Sequence, residues 1–257
     1  MTQRFAGKIA IVTGSSSGIG QAIAIRLGSE GASVVVDFLS HPEAANETKA
    51  KIEAAGGKAI TLHADVSKLG DVQNLVEQAW AQLGGCDILV NNAGVERGAP
   101  FQNVTEADYD LVMNTNLKGA FFLTQRFVQK LLEAKRPGRV INISSVHEDM
   151  VFPHFASYCA AKGGMRMLMR DLAMELGPAG ITVNNVAPGA IATPINDSLL
   201  HNPKELGALL NNIPLGRMGT VDDVSSLVAF LASDEASYVT GSTYVVDGGL
   251  MRNYKEQ

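Results

Sequence analysis

The sequence predicts an α/β fold: a single doubly wound domain with a seven-stranded parallel sheet and helices on both faces. Three observations carry this. Seven short apolar runs recur along the 257 residues. They are β-branched and mostly continuous rather than alternating, as strands buried on both faces of a parallel sheet read. Longer helix-periodic stretches lie between them, so each step implies a right-handed crossover. No composition break divides the chain, and its length suits one α/β domain.

The elements follow in order. The run IAIVT at 9–13 is the first strand, and a glycine-rich turn leads into a helix over 19–30. SVVVDF at 33–38 is the second strand, followed by a helix over 43–55, and KAITLH at 58–63 the third, followed by a helix over 69–83. DILVNN at 87–92 is the fourth. One long helix is expected over 105–134, stopped by Pro137 and Gly138. RVINIS at 139–144, a helix over 157–176, and ITVNNVA at 181–187 come next. A helix over 221–232 and the strand STYVVD at 242–247 close the pattern. Residues 191–220 form the one long insertion, rich in Pro and Gly. At the carboxyl edge of such a sheet it reads as a substrate-binding loop or lid.

Composition narrows the function. The chain is 46% hydrophobic and 18% charged, with a net charge of −5. A mildly acidic chain without a Lys/Arg run argues against nucleic acid or an anionic membrane as main partner. No apolar run approaches the roughly 18 residues that cross a membrane. The only cysteines, Cys86 and Cys159, have no metal-ligand spacing. MTQRFAGK reaches the first strand too quickly for a targeting segment, so a reducing, cytoplasmic setting is expected.

The turn TGSSSGIG at 13–20 is the first site signal. Gly14, Gly18 and Gly20 remove side chains where the chain bends and where a diphosphate must approach the backbone. Ser16, Ser17 and Ile19 lie among them at a helix start, whose free N–H groups face phosphates. Asp37, at the end of the second strand, is placed to accept from an adenosine ribose hydroxyl and to repel a 2′-phosphate. No Lys or Arg stands between Glu30 and Thr48, so NAD is favoured over NADP. Asp65 and Val66 would flank an adenine. Asn92, Ala93 and Gly94 would line the same cleft, outside the carboxyl ends of the strands.

The second signal is chemical. Tyr158 and Lys162 sit four apart on an expected helix, hence on one face. A free phenol has a pKa near 10 and is a poor base at neutral pH. An ammonium about 4 Å away, worth on the order of 4 kcal/mol at an effective dielectric of about 20, could lower it by up to roughly three units. Ser145 closes the fifth strand and could hold a substrate oxygen near the phenol. Cys159 points elsewhere on the helix and reads as a small core or interface residue.

TGSSSGIG, the NNAG of 91–94, the TNL of 115–117, Ser145 with Y-x-x-x-K, and PG-x-x-x-T at 188–193 together resemble the short-chain dehydrogenase/reductase family. The resemblance implies a Rossmann-type domain that binds a nicotinamide cofactor. It implies Tyr158 as general acid/base, Lys162 on the nicotinamide ribose, and Ser145 on the substrate oxygen. Asn116 would hold a water that links Lys162 to solvent. Pro188, Gly189, Ile191 and Thr193 would border the nicotinamide, with Thr193 on its carboxamide. A homotetramer is implied too, with Phe121, Phe122, Met165, Met167 and Met169 as apolar surface for core or interface.

SSVHE at 144–148, PGAIATPIN at 188–196, EASYVTG at 235–241 and NNAGVE are similar to the glucose 1-dehydrogenases of that family. This implies that Glu96, His147 and Asn196 lie near a sugar, with Glu148 adding a polyol partner, and that the C1 hydroxyl of glucose is oxidised to a lactone. Asp37 and Leu39 stand where that group often shows Asn and Arg, and the C-terminal end GGLMRNYKEQ also differs from it. Two other readings remain open: a carbonyl reductase such as 3-oxoacyl-carrier-protein reductase, with Arg126, Lys130, Lys135, Arg136 and Arg139 as a basic rim, and a non-enzymatic nucleotide sensor.

Overall fold

A computed structural model describes residues 3–253. The chain runs β1 (Ile9–Val12), α1 (Gly18–Ser29), β2 (Ser33–Phe38), α2 (Pro42–Ala54), β3 (Lys58–His63), α3 (Leu69–Leu83) and β4 (Ile88–Asn91). It continues through α4 (Glu106–Met113), α5 (Ala120–Glu133), β5 (Gly138–Ile143), α6 (Ala156–Leu176) and β6 (Ile181–Pro188). The short helices α7 (Asp197–Leu200) and α8 (Pro203–Leu210) precede α9 (Val221–Ala232) and β7 (Thr243–Val246).

All seven strands pair in parallel, in the order β3-β2-β1-β4-β5-β6-β7. The order reverses between β1 and β4, where such sheets open a crevice at their carboxyl edge. The continuous apolar runs are explained by two cores. Ala10 and Val12 face a cluster with α1, α2 and α9, while Ile9 and Ile11 face one with α3, α5 and α6. Successive strand residues point to opposite faces, so a strand covered on both sides has no polar alternation.

The long helix expected over 105–134 is interrupted. Residues 114–119 form a π-helical turn between α4 and α5. A Cβ at Gly119 would lie 2.6 Å from the Val66 carbonyl oxygen, so the wide turn packs directly on the loop after β3. Such bulges recur at functional sites, and this one contains Asn116. The apolar stripe on α5 and α6 also separates. Met165 and Met169 are buried, whereas Phe121 is 42% and Met167 61% exposed.

A buried polar row crosses the sheet below its carboxyl edge. Asn91 on β4 is in register with Asn142 on β5, and Asn142 with Asn185 on β6. Asn91 Nδ2 donates to Asn142 at 2.8 Å, and Asn142 Nδ2 to Asn185 at 2.9 Å. Each of the three side chains is held by a hydrogen bond within the row, and only Asn91 Oδ1 is left without a partner among its described amide groups.

Candidate active site

The carboxyl edge opens into one cleft of about 790 Å³, within the range of small-molecule sites. Its first half is backbone. Gly14 has φ +60, and a Cβ there would stand 3.1 Å from Ala93 Cα. A Cβ at Gly20 would collide with the Gly14 carbonyl and the Asn92 amide. Only glycine fits both places. Asn92 braces the turn, donating from Nδ2 to the carbonyls of Thr13 at 2.8 Å and Gly14 at 3.1 Å. The N-terminus of α1 follows, with Ser16, Ser17, Gly18 and Ile19 lining the cleft. The loop after β6 arches over it, so Thr193 and Pro194 stand within 3.9 Å of a Cβ built at Gly18.

Asp37 lines the same half. The strand spans Ser33–Phe38 as expected, and Asp37 pairs within the sheet with Leu62. Its Oδ2 accepts from the Gly14 amide at 3.0 Å, while Oδ1 is buried and unpartnered. Burial pushes the carboxyl up to about 7, against the pull of backbone N–H donors. Leu39 and Ser40 lie beside it, and Lys162 is the only Lys or Arg among the described lining residues. Asp65 binds Ser67 with Oδ1, shaping the loop that carries Val66. An orphaned acceptor, a cradle that admits no Cβ and a free helix start fit a dinucleotide.

The second half carries the reactive groups. Ser145 ends the β5 edge and accepts from the His147 amide at 3.2 Å. Lys162, one turn beyond Tyr158 on α6, is buried and donates from Nζ to the Ile143 carbonyl at 2.8 Å. Its Nζ stands 5.5 Å from the centre of the Tyr158 ring. The lowering of the phenol by a lysine about 4 Å away is therefore not found in the protein by itself. Burial pushes Tyr158 up to about 12, with the Ser145 hydroxyl pulling the other way and Glu96 adding to the rise. Burial pushes Lys162 down to about 8.

Every expected cofactor residue lines this cleft, Pro188, Gly189 and Ile191 among them, as do Glu96, Ser145, His147 and Asn196. Two expectations change. Asn116 is fully buried and does not line the cleft. Its side chain grips the Val95 backbone, accepting from N at 2.8 Å and donating to O at 2.7 Å. It thereby fixes the segment that carries Glu96. Glu148 is no polyol partner: it points away from the cleft into the sheet, bonded to Ser144, Asn185 and Thr243. The one-turn helix after Ser145 turns adjacent residues in opposite directions, sending His147 to the cleft and Glu148 to the core.

Sequence reading missed the wall opposite Tyr158. His147 stacks on Phe152 with ring centres 4.3 Å apart, and Phe152 on Phe155 at 4.1 Å. The His147 ring also meets Tyr158 edge-on at 6.2 Å. Met150, Val151, Leu199, Leu209 and Leu250 extend the apolar lining. The run MVFPHF at 150–155 was the available signal, but only folding shows that its first three residues face the cleft. Asn196 lines the cleft yet donates its Nδ2 to the Ile191 carbonyl at 2.8 Å. Residues 254–257 of the divergent end lie outside the described residues.

Comparison with known proteins agrees with this geometry. A family profile described as Enoyl-(Acyl carrier protein) reductase matches residues 14–251. The chain is 46% identical to 3beta-hydroxysteroid dehydrogenase 1 of Eggerthella lenta over 95% of this chain and 94% of the relative. It is 38% identical to glucose 1-dehydrogenase of Gluconobacter oxydans, covering 96% and 93%. The crystal structure of a gluconate 5-dehydrogenase from Burkholderia cenocepacia, in complex with NADP and tartrate, superposes with a TM-score of 0.92 at 33% identity, covering 98% of each chain. With a glycine cradle and a serine, tyrosine and lysine in one cleft, and relatives that match along almost their whole length, the chain is an oxidoreductase of hydroxyl or keto groups and belongs to the short-chain dehydrogenase/reductase family.

Proposed function

We propose that this protein interconverts a secondary alcohol and a ketone on a bulky apolar, ring-shaped skeleton, with NAD favoured as cofactor. The observation that carries this is the His147–Phe152–Phe155 stack beside Tyr158. An apolar lining of ring edges and aliphatic side chains rewards burial of an apolar skeleton at roughly 25 cal/mol per Å². It offers little to a polyol, whose hydroxyls need partners. The name of the Eggerthella lenta relative, a 3beta-hydroxysteroid dehydrogenase, supports a substrate of that class.

A nicotinamide held in this cleft would supply the hydride chemistry at the carbinol carbon. Ser145 donates to the substrate oxygen and holds it against the phenol. Tyr158, protonated in the cofactor-free protein, gives its proton to the oxygen as the ketone is reduced and takes it back in oxidation. Lys162 would hold the cofactor's ribose, with its positive charge on the side of the phenol. The Asp37 carboxyl faces the adenosine end with Oδ1 free to accept from a ribose hydroxyl, and no lining guanidinium or ammonium is there to receive a 2′-phosphate.

A second reading keeps the C1 hydroxyl of glucose. Glu96, His147 and Asn196 all line the cleft, and the Gluconobacter oxydans relative carries that name. An acyl-carrier reductase has less support, because four of the five cations proposed as its rim are paired. Arg126 and Lys130 bind Glu77, Arg136 binds Asp87, and Arg139 reaches Asp234. As in others of its fold, a homotetramer would cover the exposed Phe121 and Met167. The deciding experiment measures the initial rate of reduced-nicotinamide formation with a 3β-hydroxysteroid and with D-glucose, each with NAD and NADP. Turnover of the steroid with NAD supports the proposal. Turnover of glucose alone replaces it with the second reading.

A further inference from the structure

A buried carboxylate lies beneath Ser145, and the reaction does not touch it. The Glu148 side chain is 1% exposed. Its Oε2 accepts from the Ser144 hydroxyl at 2.6 Å and from Asn185 Nδ2 at 3.0 Å. Its Oε1 accepts from the Thr243 hydroxyl at 2.6 Å. Three neutral donors converge on a group that only accepts when ionised. They come from the end of β5, from β6 and from β7, so one carboxylate ties three strands together. Through Asn185 it also terminates the asparagine row that begins at Asn91.

The charged groups facing Glu148 lie on α6, apart from its chain neighbour Asp149. Arg166 Nε is 3.7 Å from Oε1. That Nε is buried without a hydrogen-bond partner, and the other end of the guanidinium is paired with Asp149. Lys162 is the second cation, and the field of Glu148 acts on it in opposition to burial. The two are also linked through the chain. Lys162 Nζ donates to the Ile143 carbonyl, Ile143 precedes Ser144, and Ser144 donates to Glu148. Ser145 is the next residue.

We propose that Glu148 is a positioning residue for the catalytic edge: its buried carboxylate anchors Ser144 to β6 and β7, which holds Ser145 and the Ile143 carbonyl in place, and it sets a negative charge against the Lys162 ammonium. The function of Lys162 rests on the reading given above; the electrostatic link does not. Without Glu148 the ammonium would face its desolvation penalty unaided, so the pH at which Lys162 loses its proton falls.

The test follows Lys162 by NMR in full-length protein labelled with ε-13C lysine, its signal identified by its loss in Lys162→Met. In Glu148→Gln the titration midpoint falls by on the order of one pH unit. Glu148→Asp, which keeps the charge on a shorter stem, recovers most of that shift. Thr243→Val removes one neutral donor, lowers Tm, and leaves the midpoint in place. An unchanged midpoint in Glu148→Gln overturns the proposal. Should that variant lose its cooperative melting transition, Arg166→Met decides instead. Removing the neighbouring cation leaves the field of Glu148 less compensated, so the midpoint rises; a fixed or lowered midpoint overturns the idea. NADH affinity, read from nicotinamide fluorescence against pH, should weaken about one unit earlier in Glu148→Gln. If the wild-type protein binds no NADH at all, the cofactor reading fails while the lysine titration still decides Glu148.

Discussion

The two halves of the cleft are built by different means. The nucleotide half is mostly bare backbone: a Cβ at Gly14 or Gly20 would crowd its neighbours, and the Asn92 and Thr13 side chains tie the turn to the end of β4. The substrate half is side chains on the connections between strands and main helices: His147 and Phe152 between β5 and α6, then Asn196, Leu199 and Leu209 between β6 and α9. Backbone recognition serves any molecule with the same diphosphate. Side-chain recognition can be changed one residue at a time while the sheet stays as it is. The difference explains how one fold keeps its cofactor and alters its substrate.

Tyr158 stands at the junction, and its loss is the severest test. Tyr158→Phe should lower kcat by roughly 10³-fold, within the range for a general acid/base, and leave NADH affinity within a few-fold. Steady-state kinetics beside a fluorescence titration checks both. Unchanged turnover would remove the phenol from the mechanism.

Gly20→Ala should break the nucleotide half alone. Its new Cβ meets the Gly14 carbonyl and the Asn92 amide, both parts of the bracing network. Weakening of NADH binding by roughly a hundredfold is expected, a loss of about 2.7 kcal/mol. Calorimetry or fluorescence measures it, and unaltered affinity would show that the turn has slack.

Phe152→Ala should break the substrate half alone. It removes the middle ring of the stack. For an apolar cyclic alcohol kcat/KM should fall about tenfold, since a lost aromatic contact is worth on the order of 1 kcal/mol beyond its buried area. NADH binding should not change. If glucose turnover were the activity affected, the substrate reading would pass to the sugar.

Asp37→Asn sharpens the comparison through pH, and its effect on cofactor choice should be only a few-fold in favour of NADP. The sign is fixed by burial. The folded carboxyl is raised to about 7 from a usual 3.8, so it is neutral below that pH and charged above it. In the wild type, discrimination against NADP should therefore weaken as pH falls from 8 to 6, and in Asp37→Asn the ratio should be flat. The raised value also means that this group costs stability progressively between about pH 4 and 7, on the order of 4 kcal/mol when fully ionised. Melting curves of the two proteins should converge at acid pH, with Asp37→Asn melting higher at pH 8.

Carboxylates show how far the sequence could be read. Asp37 and Asp65 were legible because each ends an apolar run, and strand ends in such a sheet meet the ligand. Glu96 and Glu148 looked alike: each is a polar residue beside a motif. One lines the cleft, and the other is sent into the sheet by the single 3₁₀ turn after Ser145. Asn116 shows the same limit. Its motif places it near the site, but its side chain grips Val95 because a π turn rotates it there.

The sequence by itself determined the order of strands and helices, the parallel sheet, the glycine turn, and the alignment of Tyr158 with Lys162. These rest on local rules: burial on both faces makes strands continuously apolar, and helical pitch puts i and i+4 on one side. The tertiary structure alone decided the direction of Glu148, the aromatic wall, and the titration of Tyr158 and Lys162. Those depend on which groups meet across long stretches of chain and on how much water they lose, and neither is written in residue spacing.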